Sequence, residues 1–130
     1  AGATLFNYAN VAIHAPTPPE VIAGSTRLGA GTAQKVVLNM MSTLMGIRLG
    51  HVHDGMMVNL VADNEKLRGR AAGMVAQIAN VDTDSAKASL EKAGGVVKLA
   101  VLLASGADAA IAGQLLDDTK GNLRAALARL

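Results

Sequence analysis

The chain has 130 residues, 51% of them apolar, and a formal net charge of only +2, which is room for one domain or a small domain plus part of another. Charge is spread rather than clustered, six Lys/Arg against four Asp/Glu over residues 1–80 and six against six over 81–130, and aromatics amount to one Tyr and one Phe, so neither a nucleic-acid surface nor a base-stacking platform is expected. With no cysteine there is no disulfide, zinc thiolate or thiol nucleophile, which fits a cytoplasmic protein, and the core has to be built from Ala, Val, Leu, Ile and six Met.

In chain order, TLFNYA (4–9) is either the end of a helix or a short apolar run. NVAIHA (10–15) is rich in β-branched residues and reads as a buried strand ended by Pro16, Pro18 and Pro19, which cannot continue a ladder. His14, closing that strand, is expected to be a hydrogen-bonded structural residue. Next comes PPEVIAGSTRLGAGTAQK (18–35), with Gly24, Gly29 and Gly31, the hydroxyls of Ser25, Thr26 and Thr32, and the cations Arg27 and Lys35. A loop of this kind feeding a helix can offer backbone N–H groups to an anion, with the hydroxyls as further donors.

From about Gly31 to Leu49 the pattern is helical. Lys35, Asn39, Ser42 and Gly46 fall on one narrow polar stripe and nearly everything else is apolar, so this helix is expected to be buried on most sides. Asn39, Ser42, Thr43 and Arg48 interrupt the run, so no membrane span is expected. GHVHDG (50–55) is turn-like. Its His51 and His53 are expected to be solvated turn histidines, since no carboxylate cluster completes a metal site. MMVNLV (56–61) reads as a short strand. Asp63 or Asn64 then caps a helix running to about Ile78, with Leu67, Ala71, Met74, Val75 and Ile78 on its apolar face.

The last fifty residues hold a weak repeat at an offset of 26, SLEKAGGVVKLAVLL against LLDDTKGNLRAALAR. Leu90 matches Leu116, Gly95 Gly121, Val97 Leu123, Lys98 Arg124 and Ala100 Ala126, with Asp82 and Asp108 as equivalent helix caps. Each unit reads as helix, glycine turn, helix. Neither can bury its apolar face alone, so the two are expected to pack into one small bundle.

At PEVIAGSTRLGAGTAQKVVLNMMST the chain resembles the signature of the N-acetylmuramic acid 6-phosphate etherase family, shared with the glucokinase regulatory protein. Pro19, Glu20, Ile22, Gly24, Ser25, Thr26, Arg27, Leu28, Gly31, Thr32, Ala33 and Lys35 fit that pattern. LNMMSTLMGIRLGHV, MMVNLVADNEKLRGRA and EKAGGVVKLAVLLASG continue the likeness. Pro18 stands where the family has Gly, and Gly29 where it usually has Lys.

The resemblance implies an α/β fold: residues 1–80 as the C-terminal part of a doubly wound, sugar isomerase (SIS) type parallel sheet domain, and residues 81–130 as a small helical, UBA-like domain. It implies a lyase that cleaves the D-lactyl ether of N-acetylmuramic acid 6-phosphate in cytoplasmic peptidoglycan recycling, without metal or organic cofactor. Glu20, Ser25, Thr26, Arg27 and Lys35 would contact the phosphosugar, an amino sugar 6-phosphate, and the protein would form a homodimer. Family members are much longer, and their acid/base glutamates map to no position here, so no residue of this chain is assigned to catalysis and the chain by itself is expected to be inactive. The alternative implied by the regulatory relatives is a phosphosugar-binding module without catalysis.

Overall fold

The structure, a computed structural model, describes residues 3–130. The chain divides into two compact units, one ending at Leu44 and the other beginning at Met45. The first unit opens with a 3-10 helix, Thr4–Tyr8, followed by an extended segment without regular structure through the prolines. The long helix α1, Gly29–Arg48, starts in this unit and ends in the next.

Two expectations fail here for one physical reason. Residues 10–15 form no strand, and Val11 and Ile13 are exposed. A strand needs a paired neighbour and a face to bury, and the described residues supply neither. The helix is found close to where periodicity places it, yet Gly46 is its only buried residue. Val36, Leu38, Met40, Met41, Leu44, Met45 and Ile47 are all exposed, Leu38 at 64%. The apolar girth that reads as deep burial is present, but most of its large side chains are exposed among the described residues.

The second unit is the reverse. A tight hairpin pairs β1, Val52–His53, with β2, Met56–Met57, antiparallel, turning through Asp54 and Gly55. This two-stranded ribbon is all the sheet among the described residues; the expected parallel sheet is not among them. Five helices follow: α2 Glu65–Ala79, α3 Thr83–Lys92, α4 Val97–Ala104, α5 Ala109–Asp118 and α6 Leu123–Leu127. Asn64 caps α2, its Oδ1 accepting from the Leu67 N–H, and Asn80 ends that helix in the left-handed region. On the apolar face of α2, Ala71, Met74 and Val75 are buried.

The offset of 26 is reproduced in three dimensions. Helices α3 and α5 begin and end 26 residues apart. Asp82 accepts from the Ser85 and Asp84 N–H groups, and Asp108 from that of Ile111. Ala86 and Ala112, Val97 and Leu123, and Ala100 and Ala126 are buried in matching pairs. Both units turn through a left-handed glycine, Gly95 and Gly121, whose N–H donates back to the Leu90 and Leu116 carbonyls.

The glycine requirement differs between the repeats. A Cβ on Gly95 would stand 2.9 Å from the Ala62 carbonyl oxygen, because residues 60–62 run antiparallel against 95–97. On Gly121 the nearest atom would be the Lys98 Nζ at 3.4 Å. The core, with Val58, Val75, Val97, Val101, Leu102 and Leu123 fully buried, is confined to this unit. Among the described residues no helix is long and apolar enough to cross a membrane.

Candidate functional site

The loop between Glu20 and Lys35 lies within the first unit. Its shape comes from backbone turns. The Ser25 N–H donates to the Ile22 carbonyl at 3.0 Å, Gly24 sits at φ 73°, and the Leu28 N–H reaches the Ser25 carbonyl at 3.3 Å. These turns lift Ser25, Thr26 and Arg27 into an outward bend just before α1. Ser25 is half-buried and Thr26 and Arg27 are exposed. The Arg27 Nε donates to the Ser25 Oγ at 3.3 Å, which leaves the rest of the guanidinium fork directed elsewhere. A hydroxyl pair beside such a fork can donate to phosphate or carboxylate oxygens.

Glu20 does something that spacing does not reveal. Its Oε2 accepts from the Gly29 N–H at 2.8 Å and its Oε1 from the Ala30 N–H at 2.9 Å, so the carboxylate spans the N-terminus of α1. The Ala30 and Gly29 bonds hold its pKa below the usual carboxylate range. The next two amides are also taken, Gly31 by the Thr26 carbonyl at 2.7 Å and Thr32 by that of Leu28 at 3.0 Å. The expectation that this helix start offers open N–H groups to an anion is therefore corrected: the donors are present and already satisfied by the chain itself. Lys35 lies exposed on α1 and makes no hydrogen bond or ion pair within the described residues.

The structure thus brings Ser25 and Arg27 into contact, seats Glu20 on the helix start behind them, and leaves Lys35 apart from both. Among the described residues no group of three or more His, Asp or Glu is gathered to hold a metal ion.

Two features of the second unit escaped sequence reasoning. His53, expected in solvent, is 7% exposed with its Nδ1 buried and unpartnered, because the β1–β2 hairpin turns its side chain inward. Its Nε2 lies 3.5 Å from Asp54, whose other oxygen accepts from Arg124 on α6 at 2.6 Å. The Arg124 bond holds the Asp54 carboxyl below the ordinary range. No local spacing signals a pair 70 residues apart. There is also an open cleft of about 640 Å³ between α2 and α3, rimmed by Glu65, Arg68, Lys87 and Glu91 over Leu90. Its rim carries two carboxylates and two cations, so the charges balance.

No family model matches the chain. Curated relatives do. It is 52% identical over 112 residues to N-acetylmuramic acid 6-phosphate etherase of Prochlorococcus marinus (strain NATL1A), covering 85% of this chain and 36% of that protein. With the protein of the same name from Pseudothermotoga lettingae it shares 48% identity over 124 residues, 95% of this chain and 41% of the relative. With that of Symbiobacterium thermophilum it shares 56% over 94 residues, 72% of this chain and 31% of the relative. The resemblance read from residues 19–35 therefore extends along nearly the whole sequence, while the chain spans less than half the length of the curated relatives it matches.

Proposed function

Because the chain belongs by sequence to the N-acetylmuramic acid 6-phosphate etherase family, we propose that it is the portion of such an enzyme that carries part of the phosphosugar site. The whole protein would cleave the D-lactyl ether of N-acetylmuramic acid 6-phosphate, eliminating D-lactate and then adding water across the resulting double bond to give N-acetylglucosamine 6-phosphate. The observation that carries this is 41–56% identity over alignments reaching 98% of the chain, combined with a loop that presents Ser25, Thr26 and Arg27 together.

In this reading Arg27 supplies two or more N–H donors to the phosphate, and Ser25 and Thr26 supply hydroxyls. Lys35 adds positive charge nearly two turns into α1. Each Glu20 oxygen accepts one backbone N–H and keeps a second lone-pair direction for a sugar hydroxyl. Elimination of lactate needs an acid and a base within hydrogen-bond reach of the substrate, and these would come from outside this chain. The doubly wound SIS-type sheet belongs to the same proposal: residues 1–80 would complete it, and residues 81–130 would form the helical domain beside it. Such a sheet would cover the exposed faces of α1. A cytoplasmic homodimer recycling peptidoglycan sugars is the setting this chemistry fits.

Two experiments test the proposal. The purified 130-residue chain should release no D-lactate from N-acetylmuramic acid 6-phosphate, whereas the longer polypeptide containing it should; release by the chain alone, or none by the longer protein, contradicts it. In the longer protein Arg27→Ala should weaken amino sugar 6-phosphate binding by at least about tenfold, since even one charge-assisted contact contributes about 1.5 kcal/mol. Unchanged affinity by titration calorimetry would make Arg27 structural.

A further inference from the structure

Helix N-termini attract anions because their first amides lack partners. At α1 that attraction is already answered from within. Gly29 and Ala30 donate to the two Glu20 oxygens, and Gly31 and Thr32 to the Thr26 and Leu28 carbonyls. The fit is close: a Cβ on Gly29 would stand 3.2 Å from the Glu20 Oε2, so a side chain at position 29 would press the carboxylate to shift by a few tenths of an ångström.

We infer that Glu20 acts as a built-in anion that excludes a ligand's phosphate from the α1 N-terminus and leaves Ser25, Thr26 and Arg27 as the donors available to it. A phosphate approaching Gly29 and Ala30 meets a carboxylate at hydrogen-bond distance from the same two amides, and two anions cannot share them. It would have to expel Glu20, giving up two charge-assisted hydrogen bonds to form its own. The bend at Ser25–Arg27 has no such occupant. Glu20 is in this sense a specificity-determining residue. It allows sugar hydroxyls to donate to its free lone pairs and repels phosphate, which fixes which end of a phosphosugar can face the helix. Only the identity of the ligand rests on the phosphosugar reading; the exclusion itself does not.

The test uses the 130-residue chain and inorganic phosphate, with the amide resonances of Gly29 and Ala30 observed by NMR. In the wild type these resonances should stay in place as phosphate is added. In Glu20→Ala they should move at phosphate concentrations about tenfold below any that perturb the wild type, the scale set by a favourable helix-terminus contact. Glu20→Gln, which retains an acceptor but not the charge, should fall between and covers the case in which the alanine variant frays α1. Wild-type amides that respond at the same concentrations as the variants, or variant amides that never respond, overturn the inference. A separate titration with N-acetylglucosamine 6-phosphate distinguishes the two ideas. If the sugar phosphate binds no form of the protein while inorganic phosphate still enters only the Glu20 variants, the exclusion stands and the phosphosugar reading falls.

Discussion

The stretch ending at Leu44 and the stretch beginning at Met45 spend similar apolar residues to opposite ends. In the second, Val58, Val75, Val97, Val101, Leu102 and Leu123 vanish completely from solvent, and four helices carry side-chain caps. In the first, α1 is rich in apolar residues and buries only Gly46, which lies past the division. Hydrophobic content alone does not make a core; the partner surface has to be present. The bundle carries its own partners, the two 26-residue units packing together and α2 closing over α3 and α4. The loop and α1 carry the candidate site, and their apolar residues stay largely exposed.

The largest expected effect sets the two regions directly against each other. Leu102 is fully buried, so Leu102→Ala should cost about 2–5 kcal/mol in urea unfolding of the bundle. Leu38→Ala, on the open face of α1, should change the same transition by less than about 0.5 kcal/mol. Equal losses would mean that α1 belongs to the same cooperative core.

Within the bundle, the repeats are expected to diverge at their glycines. Gly95→Ala must both adopt φ 85° and push a methyl group to 2.9 Å from backbone, which should cost about 2–4 kcal/mol. Gly121→Ala meets only the end of the Lys98 side chain and should cost about 1 kcal/mol. Thermal or urea unfolding of the two variants reads the difference, and the reverse order would undo the assignment of Ala62 as the tight neighbour.

A smaller effect is expected at Lys98, the counterpart of Arg124. Its Nζ donates to the Gly121 carbonyl at 2.7 Å, tying the first repeat to the second, and burial lowers its pKa. Lys98→Met should cost about 1–2 kcal/mol, since the Gly121 carbonyl loses its donor. The depressed pKa gives the sign of the alkaline limb. Between the folded value and the ordinary lysine value the unfolded chain binds more protons, so this group makes stability rise with pH there, and the Met variant should lack that rise.

On the acid side both regions respond, through different carboxylates. Asp82 is held below the ordinary range by the Ser85 N–H and hydroxyl, and Glu20 by the Ala30 and Gly29 amides. A depressed carboxylate contributes stability that is fully present above its unfolded pKa and is lost as pH falls through the folded one. Asp82→Asn should therefore flatten the acid limb of bundle stability, whereas Glu20→Gln should leave that limb alone and change only the first-turn amides of α1.

What the sequence disclosed follows the same division. Caps at Asn64, Asp82 and Asp108, the apolar face of α2 and the glycine turns are local signals, and each is found where its residue type and spacing put it. The strand expected at 10–15 and the buried state expected for α1 depended on neighbours outside the segment, and periodicity carries no information about whether those neighbours are there. His53 was hidden for a related reason, since a two-residue strand gives no alternation from which to tell inside from outside. At the candidate site, the cluster of Ser25, Thr26 and Arg27 was legible from composition. The bidentate seat of Glu20 was not, because it joins residues nine and ten positions apart across an irregular loop.

The bundle is expected to hold by itself, whereas α1 is expected to need a covering surface from elsewhere. Native-state hydrogen exchange on the 130-residue chain, repeated over a dilution series, tests it most directly. The account expects α4 amides to be protected at every concentration. It expects α1 amides between Val36 and Leu44 to lose protection on dilution as any self-association through that face dissolves, and Met41→Glu to remove their protection at all concentrations. If those α1 amides instead stay as protected as those of α4 in a dilute monomer, α1 needs no partner and the contrast between the two regions does not hold.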